Sequence, residues 1–204
     1  MDRILTAALE LLDEQGAEAL SMRSLAHRLG SGTATLYRHF ASRSELVSMV
    51  IDHILGEVEL EAERVAALPW QQACILFAQY MFDGLSRHGN VAPLLIEYTP
   101  MGPNALAIRE RCLTVLLDNG FAPAVAAHAY ATLARHVLGF ALQLPGAGTV
   151  DEDAALSAAF HRLDRSRYPA TAAVADDLPV PLAEEFAFGL QLIVTGLERQ
   201  RAHG

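Results

Sequence analysis

Thr33, Thr35, Tyr37, Arg38 and His39 lie within seven residues of one another, and each carries a side-chain hydrogen-bonding group. These are the side chains that read base edges and bind phosphates: a guanidinium can fork onto guanine or pair with a phosphate, while hydroxyls and imidazoles meet phosphate oxygens. Chemistry of this kind needs an element that presents the five together, away from a packed face. The sequence supplies one, because Leu36 and Phe40 recur at a four-residue step and give a short helix a side to bury.

Just upstream, Met22, Leu25, Ala26 and Leu29 recur at three- and four-residue steps, with Ser21 placed to cap the start and Gly30 to close the end. Two short helices joined by a Gly-containing turn over residues 21–46 describe a helix-turn-helix, so DNA is the expected partner. The charge is segregated to match. No Asp or Glu falls between Glu18 and Glu45, yet Arg23, Arg28, Arg38 and Arg43 do, so this window is +4 within a chain of −9 and the remainder carries −13. A basic patch on an acidic body orients the molecule toward a polyanion through one surface.

The run Met22-Arg23-Ser24-Leu25-Ala26, then Leu29-Gly30, Thr35-Leu36-Tyr37-Arg38-His39-Phe40 and Arg43-Ser44-Glu45-Leu46, resembles the N-terminal signature of the tetracycline-repressor (TetR) family. The preceding helix, from Ala7-Ala8-Leu9 to Gly16, matches too, and Phe186-Ala187-Phe188-Gly189-Leu190 with Gly196-Leu197-Glu198 resembles the last helix of many members. The resemblance implies a third helix in the major groove, with Thr33 and Thr35 at base edges, Tyr37 and His39 on phosphates, and Arg38 on either. It also implies that Arg23 contacts DNA and that Arg43, where the family usually has Lys, binds phosphate. Ser42-x-x-Glu45 reads as a capping box for the helix that follows.

Two departures stand out. Ser31-Gly32 replaces the Val common after the turn glycine, which implies a looser turn and a later start for the third helix. The chain opens Met1-Asp2-Arg3-Ile4, almost without the basic tail of many members. Gly30-Ser31-Gly32 is not a dinucleotide fingerprint, because Thr35 stands where its third Gly belongs and a preceding strand is missing.

At 204 residues, 52% hydrophobic and 7% aromatic, the chain is expected to be all-α. The expected architecture is an N-terminal three-helix DNA-binding head over 1–46 and a helical ligand-binding and dimerisation domain over 47–204. No apolar run reaches membrane-spanning length and no signal-peptide layout opens the sequence, so a cytoplasmic location without membrane association is expected. Cys74 and Cys112 lie on separate apolar segments and read as small hydrophobes. No metal or cofactor is expected.

The spacing predicts helices over about 3–15 and 43–66, the latter with an inward stripe of Leu46, Val50, Ile54 and Val58 and with Glu57, Glu59, Glu61 and Glu63 near its end. Pro69 breaks it, and a further helix runs from Trp70 to Gly89. A short segment over 92–98 precedes a helix ending at Asn119-Gly120. Pro123 to Leu144 is Ala-rich, and Leu182 to Arg201 is apolar around most of its circumference, with Phe186, Leu190, Ile193 and Leu197 on one stripe and Phe188, Leu192 and Val194 off it. A helix apolar on more than one face must bury more than one. The family architecture implies that these last two helices pair with a second subunit, and Phe186, Leu190, Ile193 and Leu197 are the expected dimer contacts. Residues 145–181, rich in Pro, Gly and Asp, read as a loop-rich insertion around one short helix over 154–163.

An apolar set (Trp70, Phe77, Met81, Leu113 and Leu116) with a few polar groups (Arg109, His128 and Thr132) is the expected effector pocket, since buried apolar area supplies affinity and scattered polar groups set orientation. His128, Thr132, Arg135 and His136 are expected to share one face of the Ala-rich helix. The function these features imply is a ligand-responsive regulator, a repressor that binds a palindromic double-stranded operator as a homodimer and is released by a small, largely apolar effector. The alternative is an all-helical small-molecule-binding or catalytic protein with a vestigial DNA-binding head; against it, no nucleophile elbow, metal-spaced cluster or phosphate loop is present.

Overall fold

The structure, a computed structural model, describes residues 1–57, 65, 67–144 and 150–201. Among these residues it is all-helical. The elements are α1 (Asp2–Gln15), a 3₁₀ turn (Ala17–Ala19), α2 (Met22–Arg28), α3 (Thr33–Leu36), α4 (Arg43–Gly56), α5 (Trp70–Arg87), a 3₁₀ turn (Gly89–Val91), α6 (Leu94–Glu97), α7 (Pro103–Asp118), α8 (Pro123–Ala141), α9 (Val150–His161), α10 (Pro169–Ala173), a 3₁₀ turn (Ala175–Asp177) and α11 (Leu182–Arg201).

Helices α1 to α4 form the head. α1 buries Leu5, Ala8, Leu9, Leu11 and Leu12 against α2 and α4, and Gly16 ends it as expected. α4 buries Leu46, Val50 and Ile54 completely, so three of the four predicted stripe positions face inward. Val58, Glu59, Glu61 and Glu63 lie outside the described residues. The described part of α4 ends at Gly56, with Glu57 closing it through bonds to the carbonyls of His53 and Ile54.

Below the head, α5, α7, α8 and α11 pack as a bundle, with α5 against α8 and α11 against α8 as the main contacts. Buried residues run continuously from Leu5 in α1 to Val194 in α11. Within the expected insertion at 145–181, the described residues 150–181 hold more helix than their composition suggested. α9 begins at Val150, four residues before the predicted 154, and α10 adds a turn after Pro169, which can start a helix because its missing N–H would be unpaired there anyway.

One buried charge joins the head's last helix to the body. Asp52, 8% exposed on α4, accepts hydrogen bonds from the backbone N–H of Ala105 (2.9 Å) and Asn104 (3.4 Å) and from Asn104 Nδ2 (3.2 Å). Asn104 Nδ2 also reaches the Asp52 carbonyl at 3.0 Å. Gly102, which precedes α7, has no side-chain cap of its own, so a carboxylate from another helix serves the first amides of α7. A β-carbon on Gly102 would overlap the Asp52 carboxylate, so the approach requires glycine there.

Asp52→Ala leaves the buried Ala105 N–H without an acceptor and removes the cap on the first turn of α7, and is expected to cost about 1–3 kcal/mol. Urea unfolding measures it, and Asp52→Asn, which keeps one acceptor oxygen, should fall between the two.

In the insertion, His161 Nδ1 donates to the Ser157 carbonyl (2.8 Å), and Nε2 pairs with Asp176 (2.8 Å). The Ser157 carbonyl first, and then Asp176, raise its pKa above the ordinary histidine value. The contact therefore contributes fully below the unfolded imidazole pKa and is lost as pH rises through the raised folded value. An NMR titration should show His161 titrating above a free histidine, with the value falling in Asp176→Asn.

Candidate nucleic-acid interface and effector region

The turn between α2 and α3 is fixed by its own residues. The Ser21 side chain accepts from the Ser24 N–H at 3.1 Å, and the Ser24 hydroxyl accepts from the Ser21 N–H at 3.0 Å, a reciprocal cap that starts α2. Gly30 turns the chain at φ +62°, a region costly for other residues. The next helix starts late, at Thr33 with Gly32 as its N-cap, and runs only to Leu36 before a tight turn reaches Phe40. Leu36 and Phe40 are 1% exposed and seat this element on the head core.

That seating leaves Thr33, Tyr37, Arg38 and His39 exposed on the outer side, with Thr35 half-buried and Arg23 exposed at the start of α2. Six of the seven expected DNA contacts are thus presented together. The seventh, Arg43, is engaged within the chain. Its Nε donates to the Leu20 carbonyl at 2.8 Å, and its Nη1 reaches the Tyr98 hydroxyl at 3.3 Å and the Glu97 carboxylate at 3.9 Å.

Arg28 is also occupied, by Glu10 (3.5 Å) and Glu14 of α1, and the Glu14 hydrogen bond raises its pKa. Two of the four arginines in the acid-free window therefore meet carboxylates that come from outside it in sequence. Ser42 caps α4 as expected, accepting from the Glu45 N–H at 3.2 Å, but the Glu45 carboxylate reaches back to the N–H of Ala41 rather than of Ser42. An open groove of about 550 Å³ runs beside this surface, lined by Glu14, Gln15, Ser21, Arg23, His27 and Arg28 among others.

The expected effector residues divide. Trp70, Phe77 and Leu116 are buried among α5, α7 and α8, and Met81, Leu113 and Arg109 are half-buried beside them. The Trp70 ring packs edge-on against Phe121, 4.9 Å between centroids, and its buried indole N–H has no hydrogen-bond partner among the described residues. Arg109 lies over the Tyr130 ring at 5.4 Å and donates to the Pro100 carbonyl at 3.4 Å, tying down the segment that leads into α7.

His128 and Thr132 are not brought together with the buried apolar set: both are exposed in the single chain. α8 spends Ala126, Ala129, Leu133, Val137 and Ala141 on the core, so His128, Thr132 and Arg135 fall on the opposite side with Ala124, Ala127 and Gly139. His136 leaves that face. It stacks on Phe186 (5.0 Å) and packs against Phe140 (4.8 Å), with Nε2 3.0 Å from the Phe186 carbonyl.

The expected dimer stripe packs largely within the single chain. Phe186 and Leu190 are 1% and 2% exposed within one chain, with Phe186 stacked on Phe82 at 4.3 Å, and Ile193 and Leu197 lean on the same core. The helix is apolar on two sides, and the chain's own bundle takes the stripe named first. Phe188 and Leu192, 67% and 58% exposed, are what remains outward. Sequence reasoning also passed over Asp52, although a lone carboxylate among Val50, Ile51 and Ile54 was a visible sign of a buried partner.

Residues 4–50 match the family model for bacterial regulatory proteins of the tetR family, and residues 67–201 match the model for the tetracyclin repressor-like C-terminal domain. The chain belongs to the tetracycline-repressor family. A relative in Streptomyces coeruleorubidus, the HTH-type transcriptional repressor DrrR1, is 29% identical over 97% of this chain and 77% of its own length. Apo ActR from Streptomyces coelicolor superposes with a TM-score of 0.87 at 30% identity, covering 99% of this chain and 96% of that one. ActR in complex with actinorhodin superposes with a TM-score of 0.85 at 28% identity, covering 98% and 97%.

The tetR-family chain is thus a transcriptional regulator with a DNA-binding head and the family's ligand-binding domain. Among the described residues, no helix is long and apolar enough to cross a membrane.

The head's geometry separates support from contact. Leu36→Ala empties a fully packed position and is expected to cost about 2–5 kcal/mol. Thr33→Ala and Tyr37→Ala change exposed positions and should stay within about 0.5 kcal/mol of wild type in thermal unfolding while weakening DNA binding.

Proposed function

We propose that the chain is a homodimeric transcriptional repressor that binds a palindromic operator and is released by a small, largely apolar effector. The observation that carries this reading is the exposed cluster of Thr33, Tyr37, Arg38 and His39 on an element seated by Leu36 and Phe40. Thr33 and the half-buried Thr35 approach base edges. Tyr37 and His39 hold phosphates, Arg38 reads guanine or phosphate, and Arg23 contacts DNA from α2. Arg43 reaches a phosphate only by giving up Tyr98 and Glu97. The repressor name of DrrR1 and the actinorhodin complex of ActR support the repressor and effector parts of the reading.

The effector occupies the region of Trp70, Phe77, Met81, Arg109, Leu113 and Leu116. Phe77 and Leu116 are fully packed here, so an effector there favours a second arrangement of α5, α7 and α8, and only its differential affinity for the two arrangements releases DNA. Dimerisation uses the outward side of α11, Phe188 and Leu192, beside the small residues of α8, whose Ala124, Ala127 and Gly139 permit close helix approach. A two-fold axis through that face sets two recognition elements on two half-sites.

Selection from random-sequence DNA tests the reading: a palindromic consensus is expected, and binding no tighter than to bulk DNA would overturn it. In that assay Tyr37→Ala should weaken all sequences by similar factors, whereas Arg38→Ala, if it reads guanine, should remove about 1–3 kcal/mol of discrimination at one position of each half-site. Phe188→Glu with Leu192→Glu should leave the helical circular dichroism intact and give a monomer in sedimentation, because neither side chain is needed inside the chain.

A further inference from the structure

Arg43 opens α4 in the head, and its guanidinium is held from two sides. Nε donates to the carbonyl of Leu20 in the head at 2.8 Å, while Nη1 donates to the Tyr98 hydroxyl at 3.3 Å and lies 3.9 Å from the Glu97 carboxylate. Glu97 is the last residue of α6 and Tyr98 its C-cap, so both belong to the body. Arg28, the other occupied arginine of the acid-free window, meets carboxylates of α1 and is satisfied inside the head. The body's side of the Arg43 contact is itself seated. The Tyr98 N–H donates to the Leu94 carbonyl at 3.0 Å, its half-buried ring packs on the core, and two residues on, the Pro100 carbonyl accepts from Arg109 of α7 at 3.4 Å.

We propose that Tyr98 and Glu97 are a built-in brake on DNA binding: they hold the guanidinium that a DNA phosphate would take, so the body competes with DNA for a cation of the head. The proposal rests on the function given above, in which Arg43 binds phosphate. A phosphate oxygen and the Glu97 carboxylate are both anionic acceptors for the same planar donor group, and charge-assisted bonds to that group are the strongest either can make. A phosphate brought against Nη1 while Glu97 stays in place also meets like charge at close range.

The strength of the brake follows from its exposure. Glu97 is exposed and Arg43 and Tyr98 are half-buried, so each contact is individually weak and DNA can displace it. A buried ion pair in the same place would act as a lock. The Leu20 bond keeps the Arg43 stem on the head whichever partner Nη1 takes, so the exchange needs no refolding of α4. In a dimer on a palindromic site the two heads exchange together, and a modest factor per head is squared.

The test compares the full wild-type chain with Tyr98→Phe, Glu97→Gln and the two together, by fluorescence anisotropy on a DNA fragment selected by the wild-type protein and on bulk duplex DNA. The double variant is expected to bind about threefold tighter or more, the size of effect that exposed polar pairs support. The factor should be similar on both DNAs, because a phosphate contact carries no sequence information. Tyr98→Phe, which keeps the ring and the net charge, should tighten binding in the same direction by itself. Glu97→Gln also removes a negative charge, which would favour DNA from anywhere on the surface, and Arg43→Gln separates the two effects. Its amide can still meet the Leu20 carbonyl but offers no cation, so adding both substitutions to it should change affinity by less than about 1.5-fold. Tightening that persists in Arg43→Gln would overturn the brake in favour of a general charge effect. Unchanged or weaker binding by the double variant would overturn it as well, because Tyr98 and Glu97 would then be orienting Arg43 toward DNA. If selection returns no consensus sequence, the proposed operator binding fails, while the bulk-DNA comparison with and without Arg43 still decides the brake.

Discussion

The contact on which the arrangement of head and body depends is a single carboxylate in the wrong helix. Burying Asp52 among Val50, Ile51 and Ile54 would be costly for an unpaired charge, and its cost is offset because α7 begins where its oxygens point. The positive end of a 16-residue helix and its free amides meet the anion, and Asn104 closes the pair by also bonding the Asp52 carbonyl. Neither end is satisfied without the other. α4 and α7 are therefore registered to each other by chemistry, where apolar packing alone would have allowed them to slide.

Apolar packing also runs from head to body, and several further polar ties accompany it. Arg43 joins the start of α4 to Tyr98 and Glu97 at the end of α6. At the other end of the head, Asn90 Nδ2 donates to the carbonyls of Leu12 and Asp13 at 3.1 and 3.2 Å, and His88 reaches Asp13 at 2.9 Å and Glu57 at 3.4 Å. Exposed pairs of this kind are individually weak and exchange readily with water or phosphate. These pairs can exchange partners without opening the head's own apolar core.

The sequence made the head legible because its signals are local. Ser21, Gly30 and the four-residue step from Leu36 to Phe40 each specify backbone or burial within a few residues, and the structure places a cap, a turn and a seated recognition element there. The body's helices were equally visible, since Pro69, Pro103 and Pro123 each precede or open a helix with a clear period. What periodicity could not tell was which side of a doubly apolar helix its own chain would claim. Phe186 and Leu190 went inward, and Phe188 and Leu192 did not, although all four are equally apolar in sequence. His128 and Thr132 are a related case: a polar group on an Ala-rich helix marks an orienting group only if the helix turns that side inward, and the core instead took the side bearing Ala129 and Leu133.

The acidic balance of the chain has a similar lesson in it. A window without carboxylates looks strongly basic along the sequence, but folding sets Glu10 and Glu14 against Arg28 and Glu97 near Arg43, leaving Arg23 and Arg38 with no carboxylate at salt-bridge range among the described residues. Steering by so few cations is modest and strongly screened by salt. Under the proposed function, much of the recognition then falls to hydroxyls, the phenol and the imidazole at contact range, which favours a surface that binds through fitted geometry over one that holds any polyanion. On an acidic body that repels bulk DNA, a sparse basic face raises the premium on the right sequence, because nonspecific attraction has been removed from both sides of the comparison.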